Sequence, residues 1–460
     1  MTKLGQHAIV LGASMGGMLA ARVLADFYQT VTVVERDALS DDPTNRRGVP
    51  QGRHPHALLR RGGQIIDELF PGILNELVAA GAPVLDDGNM SRIWMSLRGH
   101  QLTRDGTARD RQAATIYSPS RPFLECHVRR RLRAVANVTI LNGHDAAEMT
   151  PSADRNRVTG VRVVNRDSGA EQELTADLVI DAMGRGAHTP NLLESLGYGR
   201  PVEEHIVMRT CYVSQRLRTP PVAVEQLVAV GAAPGRPAGM FLIGYENDTW
   251  IFTAFGMVGH EPPGDLAGML SFAEDYTPAH VLAAVRAAEP VGDVIRHRMP
   301  SSQWRRYDKM RRFPEGLLVA GDAICSFDPT YGQGMTVSAL DAMALRECLV
   351  RGTHHLARRY FRAAAKSIGV AWRVSAGSDL NFPEVEGRRT VSTRVTNRFA
   401  DLVLSACESD AVVVEKFFRV NNFIDPPVRL MHPAFISRVA AANLRRKQGD
   451  HATLAVAAAR

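Results

Sequence analysis

The opening 35 residues constrain the fold more than any other stretch, because they combine a strand, a glycine-rich turn, a helix and a second strand. Residues 7–11 form a short, apolar run of the kind that a buried parallel strand needs. The turn at residues 12–17 and an apolar repeat at helical spacing follow it. A second β-branched run ends at Glu35, 23 positions after Gly12. This order predicts an α/β fold that begins with a Rossmann-like βαβ unit.

Each part of this unit has a physical reason to bind a dinucleotide. Gly12 permits the tight turn out of the strand, and Gly17 lets the helix lie close to the sheet. The helix N-terminus favours pyrophosphate, and Glu35 can accept hydrogen bonds from ribose hydroxyls. Ser14 replaces the middle glycine of the usual motif, so a glycine-rich turn of an unrelated α/β fold is the alternative. The candidate cofactor-binding residues here are Gly12, Ser14, Met15, Gly16, Gly17, Glu35 and Arg36.

Two later segments of the sequence also combine a buried strand with a glycine-rich turn. A buried strand ends at Asp181 and runs into a glycine-rich turn, and another ends at Asp322 after Gly321. A simple NAD dehydrogenase needs only the first unit, whereas the long FAD molecule explains all three. The Asp322 carboxylate would bind the flavin chain, and a helix starting near Gly334 would point its N-terminus at the flavin ring. The candidates in these turns are Asp181, Gly184, Arg185, Asp322, Pro329, Gly332, Gly334 and Met335.

Composition fits an ordinary globular protein of 460 residues, with 45% hydrophobic and 22% charged residues. The formal net charge of +7 comes from arginines that run along the chain without a basic, aromatic-rich cluster, which argues against nucleic acid. It indicates a solvated surface, or a basic funnel toward an anionic cofactor. Five cysteines without metal or disulfide spacing predict a cytoplasmic protein. No apolar run is long enough to predict a transmembrane segment.

The strand and helix pattern divides the chain into three parts. Residues 1–200 and 294–350 are predicted to form a discontinuous FAD-binding domain. Residues 201–293, with contributions from 90–120, read as a mostly antiparallel substrate sheet, and residues 351–460 as a helical C-terminal region. Aromatic residues of the sheet either fill its core or line a substrate cavity. The cavity candidates are Phe241, Trp250 and Phe252.

The segment at residues 51–56 holds Arg53, His54 and His56 in front of a helix predicted from Ala57 to about Leu69. The intervening proline and the lack of nearby acids or cysteines argue against a metal site. Arg53 and the histidines would form a polar lining near a charged ligand, or the solvated start of the helix.

Taken together, these motifs resemble a known family. The first turn with Glu35, the Asp181–Arg185 turn, and Gly321-Asp322 with Pro329 and Gly334 look like the three signatures of single-component FAD monooxygenases of the para-hydroxybenzoate hydroxylase type. The resemblance covers most of residues 1–350. It implies that Arg121 binds FAD, that Arg53 lies near the flavin or its mobile path, and that the Asp181–Arg185 turn touches both FAD and NAD(P)H. Met183 departs from the small Ser or Thr usual in that turn.

A narrower resemblance concerns the residues 48–56, 120–125 and 327–332. They resemble the polyene epoxidases of polyether antibiotic biosynthesis, of the lasalocid and monensin type, and more distantly squalene epoxidase. This implies that NAD(P)H reduces FAD and that O2 forms a flavin C4a-hydroperoxide, which epoxidises an alkene of a lipophilic substrate. Because the oxygen chemistry belongs to the cofactor, no catalytic acid–base pair is expected.

Several alternatives share the same motifs. An aromatic hydroxylase and a prenyl-chain reductase have the same fold, and a separate flavin reductase could supply the electrons. A flavin halogenase would carry a W-x-W-x-I-P segment, whereas the four tryptophans here stand isolated in the sequence. A flavin-binding regulatory or scaffolding protein without turnover is the alternative from another class.

Overall fold

The structure is a computed structural model that describes residues 3–56 and 58–458, without the side chains of residues 113 and 447–458. The strands are β1 Gly5–Leu11, β2 Tyr28–Glu35, β3 Val84–Leu85, β4 Ile93–Leu97, β5 His100–Gln101, β6 Ile116–Tyr117, β7 Val138–Asn142, β8 His144–Pro151, β9 Val158–Asn165, β10 Glu171–Thr175, β11 Leu178–Asp181, β12 Glu203–Ile206, β13 Thr210–Arg218, β14 Leu227–Val230, β15 Ala238–Tyr245, β16 Thr249–Gly256, β17 Pro290–Met299, β18 Ser302–Arg305, β19 Leu317–Val319 and β20 Cys325–Ser326.

The helices follow the same chain order. They are α1 Met15–Phe27, α2 Arg60–Leu69, α3 Ile73–Ala79, α4 Arg111–Ala114, α5 Arg121–Arg133, α6 Thr189–Ser195, α7 Leu266–Ala273, α8 Ala279–Ala287, α9 Gly334–Val350, α10 Leu356–Asp379, α11 Val391–Cys407, α12 Ala411–Asn421 and α13 Pro433–Ala458. The helix predicted to begin at Ala57 begins at Arg60, and Ala57 itself lies outside the described residues.

A five-stranded parallel sheet of order β19-β11-β1-β2-β7 confirms the predicted Rossmann-like core. Its apolar runs are buried on both faces, as parallel strands require. Helices α1, α2, α5 and α9 pack on one face, and the antiparallel meander β8–β10 covers the other. Strands β1, β11 and β19 are therefore adjacent in the sheet, although they are far apart in the sequence.

A second sheet of seven strands has the order β17-β13-β16-β15-β14-β4-β5 and is antiparallel except where β4 lies beside β14. Helices α7 and α8 pack on one of its faces around a separate apolar core. Strand β17 spans residues 290–299 and pairs with β13, so this sheet includes residues on both sides of position 294.

Residues after 350 are largely helical, which confirms the prediction of a helical C-terminal region. Helix α10 packs on α9, while α11, α12 and α13 enclose an apolar core with Met90 and Leu102. Among the described residues, no helix is both long enough and apolar enough to span a bilayer.

Candidate functional site

The carboxyl ends of β1, β11 and β19 border a cavity of about 1300 Å³. Leu11 is in register with Asp181, and Asp181 with Val319, so the turns that follow these strands meet at one edge of the sheet. The cavity then continues between the seven-stranded sheet and the C-terminal helices. Most of the cofactor candidates line it, namely Gly12, Ser14, Met15, Gly16, Glu35, Arg36, Arg121, Gly184, Arg185, Asp322, Pro329, Gly332, Gly334 and Met335.

The first turn requires its glycines. Gly12 has a φ of 99°, and a Cβ there would lie 2.7 Å from the carbonyl oxygen of Ala182. Gly17 does not line the cavity, but a Cβ on it would lie 1.9 Å from the carbonyl oxygen of Gly12. Glycine at both positions therefore lets α1 begin directly against the strand end, with its free N–H groups beside the cavity.

Glu35 is buried at the end of β2, and its carboxylate holds the first turn. Its Oε2 accepts a hydrogen bond from the Ala13 N–H at 2.8 Å, and Arg46 lies 3.1 Å away. Arg46 also pairs with Asp37 and Glu125 and donates to the Ala13 carbonyl at 3.0 Å. The Arg46 contact was missed at the sequence level, because its loop shows no periodicity to place it.

Arg121 reaches the same turn from the start of α5. Its Nη2 donates to the Ser14 hydroxyl at 2.8 Å, and the guanidinium pairs with Glu125, one helical turn on, at 2.7 Å. Burial alone would raise the pKa of Glu125, but Arg121 and Arg46 hold it below its usual value. The serine that departs from the usual glycine motif therefore bonds both members of one buried pair, since it accepts from Arg121 and donates to Glu125 at 3.1 Å. The i,i+4 spacing of Arg121 and Glu125 is the sequence signal for this pair.

We expect Glu35→Ala to weaken FAD binding roughly tenfold, because it removes an acceptor for ribose and the carboxylate that bonds Ala13 and Arg46. Equilibrium titration of the apoprotein with FAD measures this. Glu35→Gln keeps one acceptor oxygen and should lie between the two. FAD affinity unchanged in Glu35→Ala would show that the carboxylate does not reach the adenosine ribose.

Asp181 has a different place from the predicted one. Its carboxylate is buried away from the cavity, where it accepts hydrogen bonds from the Thr189 hydroxyl and the Met183 N–H. It therefore shapes the turn whose backbone, with Gly184, faces the cavity. The Arg185 guanidinium turns to Ser301, whose hydroxyl lies 2.7 Å from it, and burial lowers its pKa.

Asp322 faces the cavity with a free carboxylate. It follows Gly321, which has a φ of 62°, and makes no hydrogen bond or ion pair with any described residue. Burial within the surrounding protein raises its pKa, and the charges of Arg121 and Arg185 oppose that shift. A charged acceptor without a protein partner is what a ligand hydroxyl needs.

Asp341 lies on α9 beneath this turn with both carboxyl oxygens buried, and the Gly321 N–H is the group that favours its charged form. Burial raises its pKa to about 8. The folded state therefore keeps a proton that the unfolded chain has released, so the free energy of unfolding falls as pH rises from about 4 to about 8.

We expect the Tm of Asp341→Asn, compared with that of the wild type at the same pH, to be a few degrees more favourable at pH 9 than at pH 5, because asparagine does not titrate. Thermal unfolding at both pH values tests this, and an equal difference at both would contradict it.

The third motif forms the short turn that leads into helix α9. Asp328 accepts hydrogen bonds from the Thr330 N–H at 2.9 Å and the Tyr212 hydroxyl at 2.5 Å. Gly332 has a φ of 64°, which turns the chain into the 17-residue helix. The helix N-terminus at Gly334 therefore points its free N–H groups and its dipole at the cavity.

Arg53 is exposed and lines a smaller cleft of about 160 Å³, so the structure does not bring it into the main cavity. His54 and His56 line the main cavity instead. Burial lowers the pKa of His54 to about 3 and that of His56 to about 4, so both are neutral near pH 7. His54 bonds through Nδ1 to the Ser214 hydroxyl at 2.7 Å.

The seven-stranded sheet divides the aromatic candidates between its two faces. Phe241 lines the cavity and stacks on Phe255 with ring centroids 5.3 Å apart. Trp250 and Phe252 point to the opposite face, where they are buried in the core with α7 and α8. The prediction that these two line the cavity is therefore wrong, because alternation along β16 gives that face to Phe255.

The C-terminal helices supply a wall that sequence reasoning missed. Apolar side chains of this region line the far end of the cavity, namely Val374, Val395, Phe399, Val403, Leu404, Phe417, Val420, Leu430 and Met431. They face apolar residues of the sheet such as Met95, Leu97 and Ile243. The only signal was helical amphipathicity, which does not say what a helix packs against.

The fold and the three turns define a flavin-binding oxidoreductase, and comparison with known proteins agrees. The family model described as FAD binding domain matches residues 6–354. The chain belongs to this FAD-binding monooxygenase family, with the fold of para-hydroxybenzoate hydroxylase. FAD is its cofactor, and NAD(P)H is the reductant.

Two curated proteins resemble this chain over most of its length. Protein Rv3254 of Mycobacterium tuberculosis is 39% identical over 451 residues, covering 95% of this chain and 94% of that protein. Kynurenine 3-monooxygenase of Salinispora arenicola is 26% identical and covers 76% of this chain and 73% of that protein. Among solved structures, the flavin-dependent brominase Bmp2 has a TM-score of 0.64 at 12% identity, covering 97% of this chain and 99% of that one, which shows the fold alone.

The residues present fit FAD. Gly12 and Gly17 leave no room for a Cβ beside the first turn, Glu35 and Asp322 offer acceptors at the two ends of the cofactor region, and the α9 N-terminus offers donors between them and the substrate wall. Arg46 and Arg121 at this end of the cavity are paired with Glu35, Asp37 and Glu125, so the donors that remain for a pyrophosphate are the free N–H groups at the start of α1.

Proposed function

We propose that this protein is an NAD(P)H- and O2-dependent FAD monooxygenase that inserts one oxygen atom into a large lipophilic substrate, with alkene epoxidation as the reaction. The observation that carries the proposal is the apolar half of the cavity, which begins where the α9 N-terminus ends the cofactor region. This half lies between an aliphatic and aromatic sheet face and the C-terminal helices. It therefore favours a substrate that is apolar over most of its length.

The walls of this half support a lipophilic substrate more than a small charged one. Phe241, Ile243 and Met257 form the sheet side, opposite Phe399 and Phe417. Arg98 also lines the cavity, but its guanidinium lies 3.6 Å from Asp401 and is thereby neutralised. An aromatic acid bound against the sheet would not find a free partner in Arg98, whereas Arg373, which also lines the cavity, makes no ion pair with the described residues.

Bound FAD would supply the redox chemistry: NAD(P)H would provide the electrons, and O2 the inserted oxygen atom. The overall change converts alkene, O2, NAD(P)H and H⁺ into epoxide, water and NAD(P)⁺. The protein's part is to bind FAD through the three turns, hold the double bond against the flavin end of the cavity, and exclude water. The neutral His54 and His56 add no charge to this region.

The test begins with the absorption spectrum of the purified holoprotein during NAD(P)H addition, with and without oxygen. A flavin band that bleaches and recovers only in air is expected. Linear polyenes, phenols and prenyl chains are then supplied under ¹⁸O2, and an epoxide with one ¹⁸O atom is the expected product. A hydroxylated phenol, a saturated chain without ¹⁸O, or a halogenated product with added halide would each replace this proposal. A flavin reduced only when a flavin reductase is added would refute its single-component form.

Two phenylalanines on opposite sheet faces give a matched pair of variants. We expect Phe241→Ala to raise KM for the lipophilic substrate several-fold, because Phe241 lines the cavity. Phe252→Ala should instead cost about 3–5 kcal/mol of stability, because Phe252 is fully buried in the core under α7 and α8. Steady-state kinetics and thermal unfolding separate the two effects. A KM unchanged in Phe241→Ala would remove this residue from the substrate wall.

A further inference from the structure

The positive charge of the chain is concentrated in one region. Residues 351–460 contain 18 Lys and Arg but only 9 Asp and Glu, while the whole chain has a net charge of +7. The first 350 residues are therefore slightly acidic, and the arginines do not form an evenly solvated surface. The region that carries the excess is the helical wall of the substrate cavity.

The same region also exposes apolar side chains. Of the eleven large hydrophobic side chains that are exposed in the described part of the chain, seven lie after residue 350, namely Val391, Val395, Leu402, Val428, Met431, Ile436 and Leu444. Exposed apolar groups that cluster in one region mark an interaction surface, whereas scattered ones do not.

Helix α11 combines both properties on one face. Val391, Val395 and Leu402 are exposed at i, i+4 and i+11, and Arg394 and Arg398 are exposed at i+3 and i+7. At 100° per residue these five positions fall within a stripe about 100° wide. An exposed helix face that carries both valine and arginine is suited to the surface of a lipid bilayer. The apolar side chains can insert into the hydrocarbon, while the guanidinium groups stay in the headgroup layer.

This face lies at the open rim of the cavity. Val395, Val428 and Met431 line the cavity and are also exposed, with Val395 at 64% and Val428 at 67%. Arg373 lines the cavity too, and Arg429 follows Val428. Within the described residues, Arg373, Arg394 and Arg398 make no ion pair, and Arg429 has only a longer-range interaction with Asp425, so the rim carries an excess of positive charge.

We propose that this rim, formed by the outward face of α11 and by residues 428–431, docks on an anionic lipid surface and takes the substrate directly from the bilayer. The proposal rests on the lipophilic substrate of the proposed function. An apolar molecule would then pass from hydrocarbon to the apolar half of the cavity without crossing water. Each arginine near an anionic surface contributes about 1 kcal/mol to binding, and the inserted valines add the apolar share.

The test is co-sedimentation of the FAD-loaded protein with vesicles. We expect binding to equimolar phosphatidylcholine and phosphatidylglycerol vesicles, little binding to phosphatidylcholine alone, and a decline as NaCl is raised. Equal binding to both vesicle types, or none to either, overturns the proposal. Binding to an acidic acyl-carrier protein without vesicle binding would also overturn it, because the charges would then serve a protein partner.

Matched variants locate the surface. Arg394→Ser/Arg398→Ser should weaken vesicle binding roughly 30-fold, which is about 2 kcal/mol for two arginines. Its control is Arg311→Ser/Arg312→Ser, which removes the same charge from exposed positions outside the region. Val391→Asp is compared with Val202→Asp, since both valines are exposed, at 69% and 64%. Equal losses in test and control variants would place the binding elsewhere.

Vesicle binding requires no turnover, so this proposal and the proposed function fail separately. If the protein binds vesicles but oxygenates no substrate, the lipid-docking surface is supported and the proposed reaction is refuted. If a soluble substrate is epoxidised in the absence of lipid and anionic vesicles do not bind, the reaction stands and the docking surface is refuted.

Discussion

Asp322→Ala should purify with much less flavin than the wild-type protein. The carboxylate faces the cavity without a protein hydrogen bond, so its binding free energy is directed to the cofactor. Loss of a charged acceptor costs about 2 kcal/mol, which is roughly 30-fold in the Kd for FAD. Flavin content after gel filtration and titration of the apoprotein measure this loss.

A second readout separates binding from folding in this variant. Because the Asp322 side chain is exposed to the cavity and makes no hydrogen bond or ion pair with the described residues, its removal should leave the Tm of the apoprotein nearly unchanged. Only the holoprotein should lose Tm, through weaker ligand binding. Asp322→Asn keeps an acceptor and should retain more flavin, and Asp293→Ala, at an exposed position on β17, is the control. A fully flavinated Asp322→Ala protein would refute the assignment.

Gly17→Ala should lower both the stability and the FAD affinity of the protein more than a methyl group added elsewhere in the cofactor region. Its Cβ would lie 1.9 Å from the carbonyl oxygen of Gly12, so helix α1 must move away from the end of β1. That displacement moves the N–H groups at the start of α1 and costs about 1–3 kcal/mol or more in overpacking. We expect a lower Tm and at least tenfold weaker FAD binding, measured on the same preparation.

Gly16→Ala is the matched control, one residue earlier in the same helix. Its Cβ would meet Gly321 and Ser338 at 3.6 Å, which is ordinary van der Waals contact. It should therefore keep the Tm of the apoprotein close to wild type, which Gly17→Ala should not. If the two variants behaved alike, the close approach of α1 to Gly12 would not be what the cofactor region depends on.

The cofactor half of the molecule followed from local pattern. Strand and helix periodicities are set by a few neighbouring residues, so β1, α1 and β2 could be placed from the sequence to within a few positions. Gly12 and Gly321 adopt positive φ values, and a strand that ends in glycine signals such a turn. Parallel strand ends meet at one edge, so three distant turns could be assigned to one ligand.

Other features of the site depend on contacts that no local pattern contains. Asp181 turns away from the cavity because Thr189 and the Met183 N–H bind its carboxylate. Arg46 reaches Glu35 from a loop without periodicity. In each case, the partner that fixes the side chain comes from another part of the chain.

The sequence by itself determined the Rossmann-like start, the flavin as ligand and the helical nature of residues 351–460, because turn chemistry and periodicity are local properties. Only the tertiary structure decided that Phe241 faces the cavity while Phe252 faces the core, and that α11 and α12 close the far wall. The physical reason is that burial depends on which element packs on each face. Residues on both faces of β16 are buried, so the sequence pattern of this strand does not show which face borders the ligand cavity.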